Sequence, residues 1–154
     1  MCDYSLYSFE NRLADEGEDL TLYKFDSGTL GFVSTSDLAR TQIAKMQTGW
    51  WNHVTHWLQG KRATRLPAVC VPPGARLLLT GVPLQVQKSL GVGPDEVVVF
   101  AEISSESYSY RDALLLPNGT RVLLQDLPPG IHALVLTTSS EPIADPNELG
   151  VRAA

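Results

Sequence analysis

Residues 19–33, DLTLYKFDSGTLGFV, decide how this chain is read. Apolar and polar residues alternate on both sides of Asp26-Ser27-Gly28, which is the period of a half-buried strand interrupted by turn-forming residues, so the segment predicts two short strands joined by a tight turn. A β-hairpin therefore opens the fold. Working outward from it, the sequence ahead of the hairpin is acidic and irregular, and the sequence behind it turns helical.

Ser34-Thr35-Ser36-Asp37 offers several capping oxygens just before the helical pattern begins. In that pattern Ile43, Met46, Trp50, Trp51, Val54, Trp57 and Leu58 fall on an arc somewhat over a third of the circumference at about 100° per residue. Lys45, Asn52, Thr55, His56 and Gln59 lie opposite. The spacing predicts one amphipathic helical insert over about residues 37–60, with Gly49 as a weak point and Gly60 as its C-cap beside Lys61 and Arg62. After Pro67 the character becomes β. AVCVPPGARLLLTGV has strand composition broken at Pro72-Pro73-Gly74, and PLQVQKSLG reads as a short helical turn closed by Gly91. EVVVFAEIS predicts a strand covered on both faces, DALLLPNGTRVLL a second hairpin about Asn118-Gly119, and GIHALVLTT a last strand after Leu127-Pro128-Pro129-Gly130. The expected fold class is mainly β (α+β): a small barrel or sandwich of short antiparallel strands, with the helical insert across an open end or along one face. A chain of 154 residues fits a single domain with one self-supporting core, and residues 139–154 read as a loose C-terminal tail.

Four pieces, MCDYSL at the start, NRLADEGEDL, GTLGFVS and YRDALLLPNGTRVLL, together resemble a family of small bacterial proteins that open Met-Cys-Asp-Tyr-Ser-Leu. The resemblance covers the N-terminal third and the C-terminal β region and leaves out the Trp-rich segment. It implies a bacterial cytosolic origin and brings no activity, ligand or catalytic residue with it.

Net charge is −5, unevenly spread. Residues 1–37 carry eight acids against Arg12 and Lys24, and residues 95–154 carry nine against Arg111, Arg121 and Arg152. Between Leu38 and Pro94 there is no acid, while Arg40, Lys45, Lys61, Arg62, Arg65, Arg76 and Lys88 make the middle basic. Such segregation favours a basic segment packed against the acidic ends of its own fold, ahead of an anionic partner. The overall acidity argues against nucleic acid. No apolar run approaches a membrane span, and the N-terminus lacks the basic start and apolar stretch of a secretory signal. The expected location is cytoplasmic, where Cys2 and Cys70 are expected to be free thiols, Cys70 as a small core hydrophobe, and where the Asn118-Gly119-Thr120 sequon stays unmodified.

Catalytic chemistry has one candidate. Removal of Met1 would expose Cys2 as an N-terminal nucleophile whose own amine serves as base. Met-Cys resembles the start of class II glutamine amidotransferases and related N-terminal nucleophile enzymes, which implies a Cys2 hydrolase or transferase; Asp3-Tyr4 stands where that family has Gly-Ile. A metal has one weak pair, His53 and His56, at helical i, i+3 spacing, with Cys2, Cys70 and His132 as further donors and solvent exposure of His56 as the simpler account. His132 is otherwise expected to be a partly buried strand histidine held by a backbone or carboxylate partner. Phosphate-binding and serine-hydrolase motifs are absent, and no cofactor is expected. The polar stretch with Glu102, Glu106, Tyr108, Tyr110, Arg111 and Asp112 reads as a solvated loop before a ligand site.

The Trp-rich stretch carries the functional expectation. Trp50, Trp51 and Trp57 with flanking Lys61, Arg62 and Arg65 either cover the protein's own strands or face outward. Facing outward, they predict a non-enzymatic association domain that uses helix 43–58 to form a homo-oligomer or to hold a protein partner, with peripheral binding to an anionic membrane as the alternative.

Overall fold

The hairpin forms where the alternation places it. The computed structural model describes residues 9–47, 66–103 and 110–139, with backbone alone at 45–47. A short strand β1 (Asn11–Leu13) precedes β2 (Asp19–Lys24) and β3 (Leu30–Ser34), which pair antiparallel with Leu22 opposite Phe32. Between them the Phe25 N–H donates to the Thr29 carbonyl at 2.9 Å, and Gly28 adopts φ 85°, a conformation that costs glycine no Cβ clash. Helix α1 (Thr35–Gln47) follows β3 directly, two residues earlier than the expected start; the part of the insert from residue 48 to 60 lies outside the described residues.

The remaining elements are β4 (Ala68–Cys70), β5 (Arg76–Thr80), α2 (Leu84–Leu90), β6 (Glu96–Glu102), β7 (Asp112–Leu115), β8 (Arg121–Leu123), a 3-10 turn (Leu124–Asp126) and β9 (His132–Thr137). Gly91 ends α2 at φ 67°, its N–H returned to the Gln87 carbonyl. The nine strands among the described residues form one sheet in the order β1-β4-β3-β2-β9-β5-β6-β7-β8. Two expectations change here. The sheet is mixed, because β1 runs parallel to β4 while every other pair is antiparallel. Among the described residues it also has two ends, so their strand pairing leaves it open, and these strands pair as one sheet where a sandwich has two.

The sheet nevertheless curls. β3 and β8 stand six places apart in the order, about 29 Å if the sheet were flat. Yet Gln125, two residues after β8, bonds Leu30 of β3 twice: Leu30 N–H donates to Gln125 Oε1 at 2.9 Å, and Gln125 Nε2 donates to the Leu30 carbonyl at 2.8 Å. The concave side holds one continuous apolar cluster drawn from almost every strand, including Leu20, Leu22, Phe32, Leu77, Phe100 and Leu114. Strand alternation fills it. On β5, Leu77 and Leu79 are buried between half-buried neighbours, and on β6 Val98 and Phe100 alternate with half-buried Val97 and Val99. The expectation that β6 is sealed on both faces therefore holds for one face only.

A smaller cluster occupies the opposite side of the β2, β3 and β4 end. Phe25, Val33, Ala68 and Cys70 form it, with Phe9, Tyr23, Leu38 and Leu66 packed around them. Phe9 and Tyr23 each pack on Phe25, with ring centroids 4.9 and 5.2 Å away. Leu38 is the side chain of α1 that reaches this cluster, so the helix is anchored near its first turn.

Candidate functional site

Helix α1 and the strand ends beneath it are the part of the expected site that the structure describes. Cys2, Trp50, Trp51, His53, His56, Trp57, Lys61, Arg62 and Arg65 lie outside the described residues, as do Glu106, Tyr108 and all of the expected tail except Ser139. The first member of the apolar stripe, Ile43, is described, and it is 54% exposed. Leu38 and Ile43 are about 140° apart around a helix axis, so the side that grips the sheet and the side that carries the stripe differ.

Polar side chains fix where α1 begins. Thr21, on β2 and buried, shares a hydrogen bond with Thr35 at 2.8 Å between hydroxyl oxygens, and His132 Nδ1 lies 3.4 Å from the same Thr21 hydroxyl. The partner of His132 is thus a side-chain hydroxyl, where the sequence suggested a backbone or carboxylate group. Its neighbour across β2 is Thr21 in strand register, so the pairing follows from the β2–β9 alignment. Ser34 and Ser36 share a bond at 3.0 Å, and Thr41 donates to the Asp37 carbonyl one turn earlier. These bonds satisfy hydroxyls at a helix start; a nucleophile activated by a base would need a closer contact to an imidazole than Thr21 has.

Arg12 and Glu18 form the charged element beside this start. Arg12 Nη1 donates to Glu18 Oε2 at 3.0 Å, and Nη2 pairs with Oε1 to complete a two-pronged contact. Glu18 also accepts from the Asp15 N–H at 3.1 Å. The hydrogen bond from Arg12 is the main cause that holds the Glu18 carboxyl below the usual glutamate range, and the same bond raises Arg12. A depressed carboxyl stabilises the fold above its unfolded pKa, near 4.5, and that contribution fades as pH falls through the lower folded value. Glu18→Gln is therefore expected to cost about 1 kcal/mol at neutral pH and progressively less in acid. Urea unfolding of both chains from pH 7 to pH 3 checks this, and a gap that widens in acid would contradict it.

Cys70 departs from expectation in its chemistry. It is buried as anticipated, but it is disulfide-bonded, and no cysteine among the described residues is free. Asp112, placed by the sequence in a solvated stretch, is buried on β7. Among the described residues no three His, Cys, Asp or Glu side chains gather as a metal site would require, and no helix is long and apolar enough to cross a membrane. Compared with protein families, curated proteins and solved structures, the chain matches none.

Proposed function

We propose that this chain is a non-enzymatic association domain that pairs with a second copy of itself or with another protein through the Trp-rich segment 43–58, flanked by Lys61, Arg62 and Arg65. The observation that carries the reading is the exposure of Ile43 on a helix whose sheet-facing contact is Leu38. A helix that kept its phase beyond Gln47 would set Met46, Trp50, Val54 and Trp57 within about 60° of Ile43. The stripe would then continue on the side turned from the sheet. Aromatic anchors concentrated in one patch are the residues that carry most binding energy at protein interfaces, and the neighbouring basic residues suit an acidic surface such as the chain's own termini. A cytoplasmic location belongs to the same reading.

Sedimentation tests it. The wild-type chain is expected to self-associate at micromolar concentration, and Trp50→Ala or Trp57→Ala to weaken that association tenfold or more, a hot-spot-sized effect of about 1.4 kcal/mol, while the β circular-dichroism signal stays unchanged. A wild-type chain that remains monomeric at ~100 μM and captures no partner, or a variant that loses its β signal, would place the tryptophans in the core and end the proposal.

A further inference from the structure

Asn118 stands at the tip of the β7–β8 hairpin and reaches across to α2, where its side-chain Nδ2 donates to the Leu90 carbonyl at 2.8 Å. We propose that Asn118-Gly119 is a site of spontaneous covalent modification, in which the asparagine amide becomes a carboxylate, and that this conversion unfastens the C-terminal end of α2.

The chemistry belongs to the pair. The backbone nitrogen that follows an asparagine can attack the side-chain Cγ, and a glycine in that place puts no side chain in the way. At Gly119 the space a Cβ would fill is open for 4 Å beyond the adjoining residues, and residues 117–120 are exposed to water. Attack forms a Cγ–N bond and a five-membered imide; the Asn118 amide nitrogen leaves as ammonia, taking the proton that the Gly119 nitrogen gives up. Water then opens the ring at either carbonyl, so residue 118 ends as an aspartate joined through its ordinary carbonyl or through its side-chain carbon. Water is the co-reactant, and nothing is oxidised or reduced.

The fold holds this reaction back. Gly119 N–H donates to the Leu116 carbonyl at 2.9 Å, which keeps the proton on the attacking nitrogen, and Leu116 N–H donates to the Thr120 carbonyl at 2.8 Å to close the turn. Both ends of the Asn118 amide are held as well, Nδ2 by Leu90 and Oδ1 by the Thr120 N–H at 2.9 Å. Attack therefore waits until the turn opens and Asn118 leaves Leu90. Exposed turns open at low free energy, and the tie to α2 raises that energy.

The consequence falls on α2. This helix has seven residues and no fully buried side chain, and it rests on the larger cluster through half-buried Val86 and Leu90. The Leu90 carbonyl is one of the groups that a helix end leaves without an internal partner, and Asn118 supplies a donor from 28 residues away. A carboxylate at position 118 has no proton to donate at neutral pH. It sets a negative oxygen against the Leu90 carbonyl, at the negative end of the helix dipole. The Gly91 and Val92 N–H groups, both bonded to the Gln87 carbonyl, then lose the contact that steadies the turn around them. The inference does not depend on the association surface.

Two measurements on the whole protein decide it. Held for days at mildly alkaline pH and then cut with trypsin, the folded chain is expected to yield fragment 112–121 with a rising share that carries the mass of an acid in place of an amide. That share is expected to grow roughly tenfold faster in guanidinium, and roughly threefold faster in folded Leu90→Ala, which loosens α2. Amide exchange at Gly91 and Val92 is expected to quicken roughly tenfold in Asn118→Asp, with exchange at Leu77 in the central sheet unchanged. Equal conversion in folded and unfolded chains, or a Leu90→Ala rate no faster than that of the wild type, overturns the guarding role of the tie. A folded chain that stays unconverted while the unfolded chain converts overturns Asn118 as a site in the native protein; exchange at Gly91 that ignores Asn118→Asp overturns the link to α2.

Discussion

Phe100→Ala is expected to lower the unfolding free energy by about 3–5 kcal/mol, a large share of the roughly 5–15 kcal/mol that holds a domain of this size together. Phe100 is among the largest fully buried side chains, 1% exposed at the middle of β6. Both of its backbone groups bond the stretch just ahead of β5, the N–H donating to the Ala75 carbonyl and the carbonyl accepting from the Gly74 N–H, each at 2.8 Å, and on its other side it is in register with Leu114 of β7. With the backbone pinned in this way, the walls of the cavity left by the ring cannot collapse inward. The cost therefore includes the void as well as the lost transfer energy. Leu136→Ala on β9, 39% exposed, is the matched control and is expected to cost under about 1 kcal/mol. Guanidinium unfolding of the three chains checks the contrast. If Phe100→Ala and Leu136→Ala shifted the midpoint equally, the larger cluster would not be the core of this sheet.

The sequence disclosed those parts of the fold that local pattern determines. The 19–34 hairpin, the Gly91 end of α2 and the alternation on β5 are written within stretches of a few residues, each by period, turn chemistry or a left-handed cap. What it concealed depends on distant partners. β1 reads NRL, with no alternation to mark it, and exists because Asn11–Leu13 lies parallel to Ala68–Cys70 across more than fifty intervening residues. β4 and β5 look like one broken strand in AVCVPPGARLLLT, yet they sit four places apart in the sheet order. Pro72-Pro73-Gly74 separates them where a tight hairpin turn would have joined them. At the candidate site, the apolar stripe was legible from its 3.6-residue period, but period alone does not say which side of a helix meets the sheet. Leu38, outside the stripe, is what makes that contact. The Cys70 disulfide was hidden because spacing along the sequence does not say whether two thiols come within bonding distance in space.

Gln125 is the residue whose importance no pattern announces, and its replacement is expected to have the second largest effect. The side-chain amide serves Leu30 as a neighbouring strand would, accepting from its N–H and donating to its carbonyl, in a place where β3 has run beyond the single pair, Phe32 with Val69, that joins it to β4. Leu30 is buried, so Gln125→Ala leaves both backbone groups short of a partner, at about 1–3 kcal/mol for each that water does not reach; a total of about 2–4 kcal/mol follows. The loss falls on curvature too, since this bridge ties the turn after β8 to β3. Amide exchange at Leu30 is therefore expected to quicken more than exchange at Leu77 in the central sheet. Gln125→Glu separates the two bonds. At neutral pH its carboxylate still accepts the N–H but meets the Leu30 carbonyl oxygen without a proton, so the variant should be at least as unstable as Gln125→Ala. As pH falls, protonation restores a donor, and stability relative to the wild type is expected to recover; the introduced carboxyl favours the fold when protonated, whereas that of Glu18 favours it when ionised. A Gln125→Glu chain whose deficit stayed constant down to pH 4, or a Leu30 amide that exchanged no faster in Gln125→Ala, would mean that the curl of the sheet is held by its apolar interior without this bridge.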